Sequence, residues 1–467
     1  MTWTKAAGIR VARCVAWNAL GSAAAQGGSF LSSIIAARLL GKEIFGQFAM
    51  IQSTMIALSG FAGLGLGITA TKYVSQYRSS DRDKLGRILG MSSMVAAAAA
   101  LCFSAGLAIA AGWLPATIAP GFRLSALYIL FITANAFQVG ALAGFEAFHS
   151  VARIGLIYGA TSVLLTWIIA SYFGLPGAVL AQGLAALVLW ALYQAALVRE
   201  CRAAHITIRY RAGWCERAVL FRFSIPAAAC GMVASLGVWV SNAILVRNAG
   251  FAELAIFSAA GSMRSMVIFV PALITRVSAP ILNHMLANGD PAGYRRTFRA
   301  ALVFNSLISL VLAAGLSLVG GRVLHLFGKE FSTSGVLLGL LLGSVVVEVI
   351  ATSLFQTIFT TGRLWCNLGI VSLWTITLVV CTALSTLHYG AAGLAFAYLA
   401  GWTLSGSLYA LAARRQFPGG VDFRHLAQSF PSCGAGPALI SGQPPRDSAN
   451  LVCGGIIGQP ATAIEQP

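Results

Sequence analysis

RLLGKEIFGQF, residues 38–48, returns 209 positions later as RNAGFAELAIF, residues 247–257. At that one offset Arg38 falls on Arg247, Gly41 on Gly250, Phe45 on Leu254, Gly46 on Ala255 and Phe48 on Phe257. The polar stretch SSDRDKLGR carries Asp81 and Arg87, which the same offset sets on Asp290 and Arg296, so the register does not drift over this length. Both copies of the repeat lie between apolar segments. A chain built as two homologous membrane halves places its substrate path at the interface between them.

The composition fixes the solvent. Hydrophobic residues make up 58% of the 467 residues, charged ones 9%, and mean hydropathy is +0.81, values foreign to a water-soluble domain. A spanning helix needs about 20 apolar residues. Such segments are centred near residues 26, 57, 100, 132, 163, 187, 235, 267, 309, 346, 377 and 401, six in each half. The expected fold is an all-α polytopic membrane protein of about 12 transmembrane helices. The 50 glycines fit helices that approach closely in a bilayer.

Four regions follow. Residues 1–198 form an N-terminal six-helix bundle, 199–222 a basic linker loop, and 223–412 a C-terminal six-helix bundle. Residues 413–467, with PGG, CGAGP and GQPPR strings and no apolar segment of spanning length, read as a disordered tail. The opening Lys5, Arg10 and Arg13 before an apolar run resemble a signal peptide. The internal repeat partner of that run, near residue 235, favours a retained first helix.

Charge supplies the orientation, because Lys and Arg accumulate in short cytoplasmic loops. With the N-terminus inside, most of the 31 Lys and Arg fall on the inner side, and the outer side keeps Arg38, Lys42, Arg123, Arg247, Arg322 and Lys329. Both termini are then cytoplasmic, and the net charge of +18 needs no nucleic-acid partner. The nine cysteines form no CxxC and no outer pair. The six histidines show no metal-ligand spacing, and no GxxxxGK[ST] loop is present. No catalytic residue, metal site or cofactor is expected.

Polar groups inside the membrane are costly unless they face a cavity or a partner. Arg264 stands near mid-membrane in AIFSAAGSMRSMV, Arg276 about three turns further inward, and Glu348 in the tenth span. Arg264 is the first candidate to project into a central cavity and hold an anionic group. An ion pair between Glu348 and one of the two arginines is the structural alternative. The first span of each half is too polar to face lipid all round. Asn18 and Gln26 in one, with Trp239 and Asn242 in the other, are candidates for the path wall. Arg38 and Arg247, at matching outer helix ends, read as paired gate residues or paired headgroup anchors.

ARLLGKEIFGQFAMIQS with GFAGLGLGITATKYVSQYRSSDRDKLGRIL, then FRFSIPAA and NHMLANGDPAGYRRTFR, resembles in order and spacing the polysaccharide-biosynthesis or O-antigen flippases. These belong to the multidrug/oligosaccharidyl-lipid/polysaccharide exporter superfamily, and the resemblance covers roughly residues 10–412. It implies two bundles in a V, alternating access, and a substrate made of a short oligosaccharide on a polyprenyl diphosphate, with cavity cations receiving the sugar or diphosphate. It also implies a bacterial inner membrane, contact with membrane lipids, and a glycan polymerase and chain-length regulator as partners. A multidrug extrusion transporter of the same superfamily is the nearest alternative, disfavoured because the first six spans hold no mid-membrane carboxylate. A membrane glycan polymerase or ligase is further off, since the outer loops are short.

Overall fold

Glycine decides how this chain crosses and returns. The computed structural model describes residues 5–63, 65–78, 80–113, 119–210, 225–287, 291–331, 335–360 and 364–416. Ten α-helices run through them: α1 (Lys5–Ala62), α2 (Leu66–Tyr77), α3 (Arg82–Ala110), α4 (Ala119–Gly144), α5 (Phe148–Ala203), α6 (Ile225–Ala249), α7 (Phe251–Ala287), α8 (Pro291–His325), α9 (Gly335–Thr360) and α10 (Leu364–Gln416). Among the described residues nine helices are long and apolar enough to cross a membrane. Three of these, α1, α5 and α10, have non-helical backbone at Gly41, Gly174 and Gly390 and each serves as two crossings. The total is twelve.

The doubling back is visible in side-chain positions. Phe30 and Phe45 both lie against the ring of Phe327, with centroid distances of 5.8 and 6.4 Å, although a straight helix would set them about 22 Å apart. Gly177 sits against the backbone of Ile169, and Gly393 against that of Ser385, so α5 and α10 reverse in the same way. Gly41, Gly174 and Gly390 have φ of +74°, +58° and +51°, and Gly250, between α6 and α7, has +87°. An L side chain is strained there, which is the reason for glycine. The turns are equivalent by pairs. Gly41 and Gly250 keep the 209-residue offset, whereas Gly174 and Gly390 stand 216 apart with nearly the same backbone angles, so the register drifts by the last hairpin.

α1–α5 form one lobe and α6–α10 the other. In the first, α1 packs along α5 with almost no side chain between them: a Cβ on Gly21, Gly28, Gly155 or Gly159 would fall within 3 Å of the opposing backbone. The second lobe joins the equivalent helices, α6 and α10, through side chains, with Asn248 Nδ2 donating to Thr386 Oγ1 (2.9 Å) and Thr375 Oγ1 to the Val233 carbonyl (3.4 Å).

The lobes meet where α1 packs on α6 and α7, and at the glycine-turn end the Gly46 position lies against the Phe251 backbone. There Phe45 meets Phe327 and Phe331, all but fully buried, and the Arg38 guanidinium donates to the Leu326 carbonyl (2.6 Å). At the opposite end, α5 runs on to Ala203, and residues 206–210 lie against α3, with Arg209 N–H donating to the Gly86 carbonyl (3.1 Å) and its guanidinium pairing with Asp83 (3.1 Å). Of the linker expected at 199–222, residues 211–222 lie outside the described residues, as does the tail from 417 onward.

Candidate functional site

The first leg of α1 carries polar residues at spacings of three and four, which keeps them on one face of a helix. Gln26, Ser29 and Ser33 line a cavity of about 620 Å³ between the lobes. Gln52 and Ser53 reach it from the second leg. α4 and α5 add Tyr128, Tyr158, Ser162, Thr166 and Gln182. From the other lobe, α6 contributes Ser235 and Asn242, and α7 turns in Ser258, Ser262 and Ser265, again four and three residues apart. Among the described residues no Asp, Glu, Lys, Arg or His lines this space. It is a pocket of hydroxyls, carboxamides and aromatic rings.

Hydrogen bonds fasten the wall across the lobe interface, among them one between Ser33 Oγ and Ser262 Oγ (3.4 Å). Asn242 Nδ2 donates to Ser53 Oγ (2.8 Å), and Trp239 Nε1 donates to Thr54 Oγ1 (2.9 Å). Asn242 is 9% exposed, and its Oδ1 has no hydrogen-bond partner; nor does the buried Oε1 of Gln182. Ser241 is fully buried and points away from the cavity wall.

Arg264 stands elsewhere. One residue before Ser265, it is rotated about 100° from the serine stripe of α7 and is directed into the second lobe. Its guanidinium is bonded to Glu348 of α9 and lies over the Tyr398 ring of α10, 5.2 Å from the centroid. Tyr398 in turn abuts Phe257 and Trp374. This differs from the expectation of a cation projecting into the central cavity, and the physical reason is helical phase: the stripe that faces the cavity is occupied by serines. Among the two arginines weighed as partners of Glu348, Arg264 is the one bonded to it. The side chains of Arg276 and Asn18 lie outside the described residues. Arg276 itself is placed on α7 about three helical turns beyond Ser265.

Arg38 and Arg247 are equivalent in sequence and unequal in use. Arg38 bonds across to Leu326 of the other lobe, whereas Arg247, in the last turn of α6, is exposed with no partner among the described residues. No group of three or more His, Cys, Asp or Glu that could hold a metal occurs among the described residues.

Sequence reasoning passed over Gln182, Ser162 and Thr166, single polar residues in apolar helices, and the serines of α7. For the last the sequence carries a signal, since Ser258, Ser262 and Ser265 keep helical spacing in FSAAGSMRS.

The described residues form a two-lobed bundle of twelve membrane crossings with a polar cavity at the lobe interface. The sequence pattern of the polysaccharide biosynthesis protein family matches residues 11–286, and the chain belongs to that family. It is 25% identical over 400 residues to the EPS I polysaccharide export inner membrane protein EpsE of Ralstonia solanacearum, covering 82% of this chain and 89% of that one. To the protein of the same name from Ralstonia nicotianae it is 23% identical, with the same coverage. Among solved structures, the inward-facing form of a multidrug resistance MATE family transporter superimposes with a TM-score of 0.71 at 15% identity, over 87% of this chain and 96% of that one. A MOP superfamily transporter from Pyrococcus furiosus, described as having a binding pocket of reversed polarity, gives 0.69 at 16%, over 89% and 96%. These likenesses concern the fold.

Proposed function

We propose that this protein is a flippase that moves a polyprenyl-diphosphate-linked oligosaccharide across the bacterial inner membrane for surface polysaccharide synthesis. The observation that carries the reading is the cavity: hydroxyls and carboxamides from both lobes line it, as a sugar's hydroxyls require on leaving water. Its volume falls within the range of small-ligand sites, enough for a short glycan, while the prenyl chain stays in lipid between the lobes. The polysaccharide-export relatives support the same cargo. Transport proceeds by alternating access, with no covalent step.

The working units are the bundles 1–198 and 223–412, joined by the basic linker 199–222, with both termini and the 413–467 tail in the cytoplasm. On that assignment the glycine-turn end faces outward, and the Phe45, Phe327, Phe331 and Arg38 contacts close it, leaving the cavity to load from inside. Arg276, further inward on α7, suits the diphosphate; Gln26, Trp239 and Asn242 serve the glycan path, with Asn18 toward its inner end. A glycan polymerase and chain-length regulator would take the product at the outer face. The multidrug reading has less support, because a cation exporter needs an acidic cavity and Glu348 is bonded to Arg264 instead.

The test is the lipid-linked oligosaccharide pool and surface glycan of a deletion strain. Accumulated lipid-linked units with lost surface polymer are expected. A normal pool and normal surface glycan, with new drug sensitivity, would shift the assignment to the multidrug exporter.

A further inference from the structure

We infer that the cavity accepts an uncharged glycan and turns away an acidic one, with Gln182 and Asn242 as the acceptors that read its hydroxyl or acetamido groups. This rests on the flippase reading and goes beyond it, because lipid-linked glycans are built with and without uronates or other acidic sugars.

Two independent observations carry it. The first is electrostatic. Among the described residues the cavity wall holds no charged side chain, and the arginine next to the serine stripe is neutralised within its own lobe by Glu348. A carboxylate brought into this space meets hydroxyls and amides but no cation, and an unpaired charge away from water is strongly disfavoured.

The second is a pair of unmet hydrogen bonds. Gln182 Oε1, on the second leg of α5, and Asn242 Oδ1, on α6, are buried acceptors without a partner. The two residues line one cavity from opposite lobes. The Asn242 amide nitrogen donates to Ser53 Oγ, and its oxygen is left without a donor. A buried acceptor without a donor is costly and recruits one. Sugar hydroxyls and acetamido N–H groups donate, whereas an ionised carboxylate only accepts. The two amides therefore favour the neutral sugar and oppose the acidic one. A neutral glycan held by both also bridges the lobes, and its release is coupled to their separation.

The experiment uses the full chain in proteoliposomes with two synthetic cargoes. Both are prenyl-diphosphate-linked trisaccharides, one of hexose and N-acetylhexosamine units, the other identical except that one hexose is its uronate. Transbilayer movement is read as the fraction of headgroups protected from externally added periodate. The neutral lipid is expected to move at least about tenfold faster. Gln182→Leu and Asn242→Leu should each slow the neutral lipid about tenfold and leave the acidic rate where it was. Gln182→Lys, which supplies the missing cation, should raise the acidic rate at least about fivefold, a gain that a misfolded variant cannot give. Equal rates for the two lipids, a faster acidic one, or no gain with Gln182→Lys overturns the inference alone. Movement of neither lipid overturns the flippase reading as well.

Discussion

The two lobes descend from one repeat and are held together by different means. In the first lobe, Gly21 and Gly28 of α1 lie against Ala152, Gly155 and Gly159 of α5, backbone to backbone, leaving its polar side chains free to face the cavity. The second lobe spends polar side chains on itself: Arg264 with Glu348, Asn248 with Thr386, and Tyr409 donating to Asn367 Oδ1 (2.7 Å). Even its turn is tied by a side chain, as the Ala391 amide donates to Glu253 Oε2 (2.8 Å). Glycine packing thus leaves the polar face of α1 free for the cavity, while the Arg264–Glu348 pair inside the second lobe serves its cohesion.

The sharpest way to break this comparison is to unpair the charge. Glu348→Ala leaves the half-buried Arg264 guanidinium without its carboxylate and should cost about 3 kcal/mol, seen as a lowered thermal midpoint of the purified protein. The double variant Arg264→Met with Glu348→Leu should recover most of that loss. It should also restore export if the pair serves cohesion; a stable double variant without export would return Arg264 to the cargo path.

Next in size is steric. Gly159→Val drives a side chain into the Ala24 carbonyl and should destabilise by about 3 kcal/mol. Gly369→Val on α10, where a Cβ meets nothing within 4 Å, should stay within about 1 kcal/mol in the same melting assay.

At the lobe interface the effects shrink. Arg38→Ala removes the bond to Leu326 and should raise labelling of a cysteine placed at Phe331 by an impermeant maleimide severalfold, whereas Arg247→Ala should leave it unchanged. Trp239→Phe loses only the bond to Thr54 and should cost about 1 kcal/mol of stability.

Much of this was legible in the sequence because it depends on backbone and on bilayer thickness. The Arg38 and Arg247 copies located the first turn of each lobe, since a positive φ demands glycine at a fixed place. The later turns at Gly174 and Gly390 escaped the repeat, because intervening length differences moved them off the 209-residue register. Gln26 and Asn242 could be named from the polarity of their helices. The environment of Arg264 could not, because a phase difference of one residue on α7 decides between cavity and lobe interior, and only the positions of α9 and α10 reveal which side is which.

The single-glycine turns have a consequence for access from the face of the molecule that carries them. Four of the six connections on that face have no loop at all, so a protease, an antibody or an inserted tag finds nothing to grip at Gly41, Gly174, Gly250 or Gly390. Anything that docks from that side must seize the α3–α4 or α8–α9 connection, one on each lobe, and a body spanning both would lock the lobes against each other. A small engineered binder with two such footholds would therefore act as a brake on the transporter without ever entering its cavity.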